Sequence, residues 1–392
     1  MSRTPSWDVY GFSDRLTAAE QAALDELRHT LDEKVYPYLN DAWHEDRFPE
    51  EIIEPLESLR LMEPSALHEA GESVRDIFES MRTFELARCD TNVATFFNAQ
   101  AGLFRTAVTQ GGSAEQVAEL DPKIVNYELQ GVFALTEPEN GSDVAKGLQT
   151  SATQNADGTW TINGAKRWIG GAFRADVLCT FARDTADNQV KAFLVPRDAQ
   201  GVTLEKIGHK ASLRIMQNAD ITYTDVQVDD AARLQNINSF RDVASCLRLM
   251  RSDVSWIATG AMAGAYEAAV RYTTKREQFG KPIAGFQLIQ EKLATMLANV
   301  TASVAMAMQL TEQQGAGVYK DENSALAKMF TASKLRETVA LAREVCGGNG
   351  ITLDTDVARF HADAEAVYSY EGTHEINALI VGRSITGQSA FV

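Results

Sequence analysis

A chain of 392 residues and 43.0 kDa exceeds one comfortable hydrophobic core, so two or three packed sub-domains are expected. Its 45% apolar and 23% charged residues are those of an ordinary soluble globular protein. A formal net charge of -17 and a pI of about 4.9 repel phosphate backbones, which excludes nucleic acid as a general partner. The cysteines, Cys89, Cys179, Cys246 and Cys346, are scattered without a C-x-x-C pair and read as reduced thiols. The N-terminus has neither an apolar h-region nor transit-peptide character, and "GQSAFV" is not a peroxisomal address. No apolar run reaches the roughly 20 residues that span a bilayer. A cytoplasmic, prokaryote-type protein without membrane insertion is expected.

The elements in chain order fall into three zones: an N-terminal helical domain (1–130), a middle antiparallel β-domain (131–240) and a C-terminal four-helix bundle (241–392), an α+β chain that is mostly α. In the first zone, Ala22, Leu24 and Leu27, then Ile53, Leu56 and Leu59, recur at helical spacing, and Thr17 with Glu20 forms a capping-box signature. The middle zone has short β-like runs, "TWTINGAKRWI", "DVLCTFAR", "VKAFLVPRD" and "ITYTDVQV", with Asp157-Gly158 and Asn163-Gly164 as turn pairs. Four long helical stretches follow, and the small residues from Ala258 to Ala265 predict close helix packing.

The six histidines never pair at i,i+3 or i,i+4, and no Cys/His cluster exists, so a zinc centre is not expected. There is no G-x-S-x-G elbow and no Walker loop. "LTEPENGSDVAKG" (135–147) reads either as a Pro-Glu-Asn-Gly turn or as a loop whose amides and Ser142 hydroxyl hold a phosphate. "CGGNG" (346–350) is a helix C-cap or a close-approach site for a ligand. Arg276 suits a pyrophosphate, or simply complements a helix end. In "YSYEGTHEIN" (368–377), Glu371 reads as an acidic residue preceding a helix capped by Thr373, or as a carboxylate held against Tyr368 and Tyr370 and suited to general-base work.

Taken together, "FALTEPENGSD", "GAKRWIGGAFRAD", "KREQFGKPIAGFQ", "CGGNG" and "YSYEGTHEINALIVGRSITG" resemble the acyl-CoA dehydrogenase family over nearly the whole chain. The likeness is greatest to the branch of glutaryl-CoA dehydrogenases and plant-type short-chain acyl-CoA oxidases. The resemblance implies FAD as cofactor, an acyl-CoA substrate, an electron-transfer flavoprotein or O2 as acceptor, and a homotetramer in which Arg276 serves a neighbouring subunit's FAD.

Carried over by position, it makes Glu371 the base that removes the α-proton of the thioester while a β-hydride passes to flavin N5. The Glu371 amide and a flavin ribityl hydroxyl would meet the enolate oxygen, with Gly372 letting the backbone approach. It assigns Leu135, Thr136, Ser142, Trp168, Ile169, Gly170, Arg276, Phe279, Gln287, Gly347, Gly348, Thr373 and Glu375 to FAD, and Ala94, Thr95, Ser142, Arg251 and Gly372 to the substrate.

Two positions depart from the pattern. Ala94 stands where glutaryl-specific members carry an arginine for the distal carboxylate, so glutaryl-CoA is disfavoured. Gly170 replaces the threonine of the W-I-T position, which opens space beside N5 and resembles the oxidase branch. Phe96 and Phe97 either shorten the acyl pocket, favouring short or branched chains, or point into the helical core. Alternatives are an O2-using oxidase, a non-catalytic helical interaction protein of the same fold, and a flavin monooxygenase or nitroalkane oxidase.

Overall fold

The computed structural model describes residues 7–390. The N-terminal third forms helices α1 (Ala18–Thr30), α2 (Leu39–Glu45), α3 (Ile53–Ser58), α4 (Ser65–Ala70), α5 (Asp76–Cys89), α6 (Thr91–Asn98), α7 (Arg105–Gly111) and α8 (Ala114–Val125). The capping box is present: the Glu20 amide donates to the Thr17 hydroxyl at 3.2 Å and the Thr17 amide to the Glu20 carboxylate at 2.9 Å. A second box, Ser113 with Gln116, opens α8. The inward face of α1 is Ala23, Leu24 and Leu27, whereas Ala22 is exposed.

Strands β1 (Gly131–Ala134), β2 (Ser151–Gln154), β3 (Trp160–Gly170), β4 (Val177–Asp184), β5 (Val190–Pro196), β6 (Val202–Lys206) and β7 (Asn218–Val228) form one seven-stranded sheet, with the four-residue helix α9 (Val144–Gly147) between β1 and β2. The order is β1-β4-β2-β3-β7-β6, with β5 on β4. Long pairings such as β3 with β7 and β4 with β5 are antiparallel, but β1 and β2 each run parallel to β4, so the sheet is mixed rather than wholly antiparallel. Asp157-Gly158 is the expected hairpin turn, with Gly158 at φ 91°. Asn163-Gly164 is not a turn: it lies inside β3, where the register against β7 shifts. Gly164 takes φ 144°, and a Cβ there would stand 2.6 Å from the Thr150 Cα. The bulge is held across strands by Asn163 Nδ2 donating to Asp225 at 3.0 Å and the Asp225 amide donating to Asn163 Oδ1 at 2.8 Å.

The C-terminal region comprises α10 (Phe240–Lys275), the hairpin strands β8 (Glu277–Gln278) and β9 (Lys281–Pro282), α11 (Gln287–Gly315), α12 (Asp321–Val345), α13 (Val357–Ser369) and α14 (His374–Thr386). Helix α13 was not among the four stretches expected from the sequence. Its buried face carries Arg359 and Asp363, which breaks the apolar periodicity that announces a helix.

The contacts group the chain into two compact units that are not contiguous in sequence. One takes the chain up to Thr95, Ala211–Ile215 and everything from Arg251 onward; the other takes Phe96–Lys210 and Met216–Met250. In the helical unit, α10 meets α5 backbone to backbone. A Cβ on Gly260 would fall 2.2 Å from the Phe84 carbonyl oxygen, and one on Gly264 2.2 Å from that of Arg88. The small residues of 258–265 are what permit this approach. Gly260→Ala should therefore destabilise the protein by about 1–3 kcal/mol through overpacking, read as a lower denaturant midpoint at unchanged slope.

The segment Ala211–Ile215 joins the helical unit through side chains that accept its amides. Leu213 donates to Asp363 Oδ1 at 2.6 Å and Ile215 to Asn92 Oδ1 at 3.1 Å. Burial among these groups, with Asp90 beside it, pushes the Asp363 carboxyl up to about 7.

Helix α11 is long and apolar enough by length and composition to cross a membrane, although scattered polar residues leave it no uninterrupted apolar run of that length. Of those residues, Asn299, Thr301, Ser303 and Thr311 are buried within the helical unit. Asn299 donates to Thr338 at 3.2 Å, and Thr311 accepts from Trp256 Nε1 at 3.0 Å. This is the pattern of a core helix.

Candidate active site

The turn between α13 and α14 concentrates the unusual geometry of the helical unit. Tyr370 ends α13 in an extended conformation, with its amide bonded to the Ala366 carbonyl at 2.9 Å. Glu371 then takes φ 52° and Gly372 φ 89°. A non-glycine residue in the left-handed region is uncommon and clusters at functional sites. A Cβ at Gly372 would lie 3.1 Å from Asn377 Nδ2. Thr373 caps α14, its hydroxyl accepting from the Ile376 amide at 3.3 Å.

Two side chains missed by sequence reasoning tie this turn down. Lys328 of α12 donates to the carbonyls of Tyr368 at 2.8 Å and Gly372 at 2.7 Å. Asn377 donates to the carbonyls of Gly372 at 2.9 Å and Thr373 at 3.0 Å. The available signal for Lys328 was its place on a helix face otherwise made of Ser324, Thr331 and Leu335, where a lysine is out of character.

Burial pushes the Glu371 carboxyl above its ordinary range, while the positive charges of Arg251 and Lys328 pull the other way. The Glu371 amide donates to no described residue. Burial also raises the Tyr370 phenol against the pull of the Thr95 hydroxyl, and the Tyr368 ring stacks on His374 with centroids 5.0 Å apart. Ala94 is 1% exposed, its amide bonded to the Asp90 carbonyl at 3.2 Å. Glu375, in the first turn of α14, is exposed.

In the β unit, Leu135 and Thr136 follow β1 and are clamped to β3. The Arg167 amide donates to the Thr136 carbonyl at 2.8 Å. The wholly buried Lys166 donates to the Leu135 carbonyl at 3.1 Å and to Glu137 at 2.9 Å. Glu137 further accepts from the amides of Gln149 at 2.6 Å and Thr150 at 2.8 Å. This brings Leu135 and Thr136 beside Trp168, Ile169 and Gly170. Trp168 sits at φ 66° at the second register shift of β3, half exposed, with the Arg167 guanidinium over its ring and its carbonyl accepting from Asn218 at 3.1 Å. Ile169 is buried and Ser142 is exposed.

Gly170 does not leave the gap expected from a missing threonine. A Cβ there would meet Met216 Cε at 2.4 Å, so the methionine fills that volume. The two phenylalanines divide their roles: Phe97 is buried, whereas Phe96 lines a small cavity with Gln100, Gln130, Val132 and Arg174.

The remaining candidates lie on the surface of the helical unit. Arg276 and Phe279 belong to the β8–β9 hairpin and Gln287 opens α11; Phe279 is 94% exposed at φ 53°. Gly347 takes φ 59° directly after α12, and both it and Gly348 face open space, so the helix-end reading and the ligand-approach reading are compatible. Asn349 bonds the Tyr272 hydroxyl at 2.9 Å, which sets this turn beside the end of α10 that leads to Arg276.

A partly buried carboxylate on a left-handed turn and a half-exposed indole on a sheet bulge are the groups that the structure sets apart. The N-terminal, middle and C-terminal domain families of acyl-CoA dehydrogenase match residues 17–128, 132–226 and 240–386. The short-chain specific acyl-CoA dehydrogenase of Megasphaera elsdenii is 29% identical, over 94% of this chain and 98% of its own. Glutaryl-CoA dehydrogenase of Mycobacterium smegmatis superposes with a TM-score of 0.90 at 31% identity, over 100% of both chains. A glutaryl-CoA dehydrogenase from the same organism in complex with FADH2 does so with 0.90 at 28%, again over 100% of both. The chain belongs to the acyl-CoA dehydrogenase family, and its activity is FAD-dependent acyl-CoA dehydrogenation.

Proposed function

We propose that the chain oxidises a short or branched acyl-CoA, with Glu371 as the base that removes the α-proton. The observation that carries this reading is the Glu371 turn itself. One residue presents a carboxyl raised by burial and an amide without a described partner. A thioester α-proton is weakly acidic, so its removal needs a positioned base and a donor for the developing enolate oxygen, and the two groups answer those needs. Gly372 lets the backbone approach the thioester, with Arg251, Ala94, Thr95 and Ser142 completing the substrate contacts.

The residues present fit FAD. Trp168 offers a half-exposed indole beside Leu135, Thr136, Ile169 and Gly170 for the ring, and the exposed Ser142 a hydroxyl. Thr373 and Glu375 lie next to the base on the same turn and helix. FAD when bound supplies the hydride acceptor. Arg276, Phe279, Gln287, Gly347 and Gly348 are assigned to the FAD of a neighbouring subunit in a homotetramer. The exposure of Phe279, Leu288 and Ile351 supports covering of this surface by another copy. We take electron-transfer flavoprotein as the oxidant, because Met216 occupies the space at Gly170 that the resemblance to the oxidase branch would leave open. Abundant hydrogen peroxide on aerobic turnover would contradict that choice. A cytoplasmic location is part of the same reading.

Against the likeness to glutaryl-CoA dehydrogenases stands Ala94. At this position a buried distal carboxylate would have no cation, a loss of about 3–5 kcal/mol. Butyryl-CoA should therefore reduce the flavin at least about 100-fold faster than glutaryl-CoA at equal concentration. Comparable rates for the two would overturn the substrate assignment. A preparation that takes up FAD but is bleached by no acyl-CoA would overturn the function itself.

A further inference from the structure

Lys328 is 0% exposed and lies on the face of α12 that carries the buried Ser324, Thr331 and Leu335. A buried ammonium is costly unless its protons are taken up. Here they go to two backbone carbonyls, Tyr368 at 2.8 Å and Gly372 at 2.7 Å. Those residues bracket Ser369, Tyr370 and Glu371, so one side chain from a neighbouring helix closes both ends of the turn. A methionine would fill the same space without desolvating a charge, which makes the retained cation the feature to explain.

We propose that Lys328 is a positioning residue for the dehydrogenation: by holding the Tyr368 and Gly372 carbonyls it keeps Glu371 in its left-handed conformation, and it supplies a positive charge to the same turn. This rests on the reading of Glu371 as the base. Around Glu371 stand Arg251 and Asp253 from α10, Lys328 from α12 and Tyr370 from the turn, while Glu375 of α14 acts on Lys328. Burial lowers the Lys328 ammonium to about 8, with Glu371 and Glu375 opposing the shift, so the charge is present at neutral pH and diminishes above it.

Lys328→Met removes donors and charge, and Lys328→Arg keeps both. Each is loaded with FAD and read in two ways. The first is the titration of the Glu371 carboxyl by difference infrared spectroscopy, with Glu371→Gln as the subtraction. The second is the pH profile of anaerobic flavin reduction by butyryl-CoA. In Lys328→Met the carboxyl should titrate about one pH unit higher, because the ionised form has lost a neighbouring cation. The acid limb should move with it, and flavin reduction at neutral pH should fall about tenfold or more. Lys328→Arg should return both readouts toward the unsubstituted protein.

A Met variant with unchanged titration and rate overturns the proposal. So does equal loss in both variants with the Glu371 titration unmoved, which would leave Lys328 a purely structural residue. Should Lys328→Met not fold, the Arg variant decides: restored titration and rate support the role, and a titration displaced as for a lost charge contradicts it. The infrared readout follows Glu371 whether or not it is the base. Full flavin reduction in Glu371→Gln would therefore sink the base assignment separately.

Discussion

Glu371→Gln is expected to keep FAD bound while flavin reduction by acyl-CoA falls about 10³-fold or more, at the upper part of the range for losing a general base. Glutamine preserves the shape of the side chain and leaves the clamp from Lys328 and Asn377 to the turn's carbonyls intact, so the loss is chemical. The unsubstituted enzyme adds a pH signature. A base works only when deprotonated, and burial raises this carboxyl above its ordinary range. The rate should therefore be full at higher pH and lost as pH falls through a value above that of an exposed glutamate, a limb that disappears in Glu371→Gln. Stopped-flow anaerobic reduction across pH, with bound flavin measured on each sample, checks both statements.

The second large effect is structural and lies in the β unit. Glu137→Ala leaves Lys166 buried without its carboxylate and strips the acceptor from the amides of Gln149 and Thr150. Breaking one side of such a pair costs about 3–5 kcal/mol, because an uncompensated charge stays inside. The damage falls on Leu135 and Thr136, assigned here to the flavin, since Lys166 also holds the Leu135 carbonyl. The expected result is a lower denaturant midpoint together with loss of FAD. Replacing both partners, as Glu137→Leu with Lys166→Met, should recover only the part due to the uncompensated charge, since the Gln149 and Thr150 amides and the Leu135 carbonyl stay without their partners. If Glu137→Ala alone matched the unsubstituted protein in midpoint and FAD content, the pair would not carry this role.

What could be read from the chain was mostly local. The Thr17 and Glu20 capping box and the small-residue stretch around Gly260 and Gly264 are short-range signals, and they appear in the structure as the sequence predicts. Asn163-Gly164 looked like a turn because a dipeptide carries no information about its partner, whereas Asp225 across the sheet makes it a bulge. The short strand β1 pairs parallel with β4, and β2 adds a short parallel contact to β4 beside its antiparallel pairing with β3, which no alternation within a few residues reveals. Gly170 suggested a gap, and only the distant Met216 shows that volume filled.

The turn at Glu371 was legible as a motif but not as a geometry. Its positive φ, an amide without a partner among the described residues, and the Lys328 clamp from 43 positions earlier are products of tertiary packing. A lysine among the small and apolar residues of one helix face was the one trace of them in the sequence.

The most direct test of the whole account is anaerobic addition of butyryl-CoA to the FAD-loaded protein, following flavin absorbance and analysing the thioester product. Stoichiometric bleaching with formation of the α,β-unsaturated acyl-CoA, absent in Glu371→Gln, is the predicted result. An oxidised flavin that stays unbleached, or equal bleaching in the glutamine variant, would contradict it.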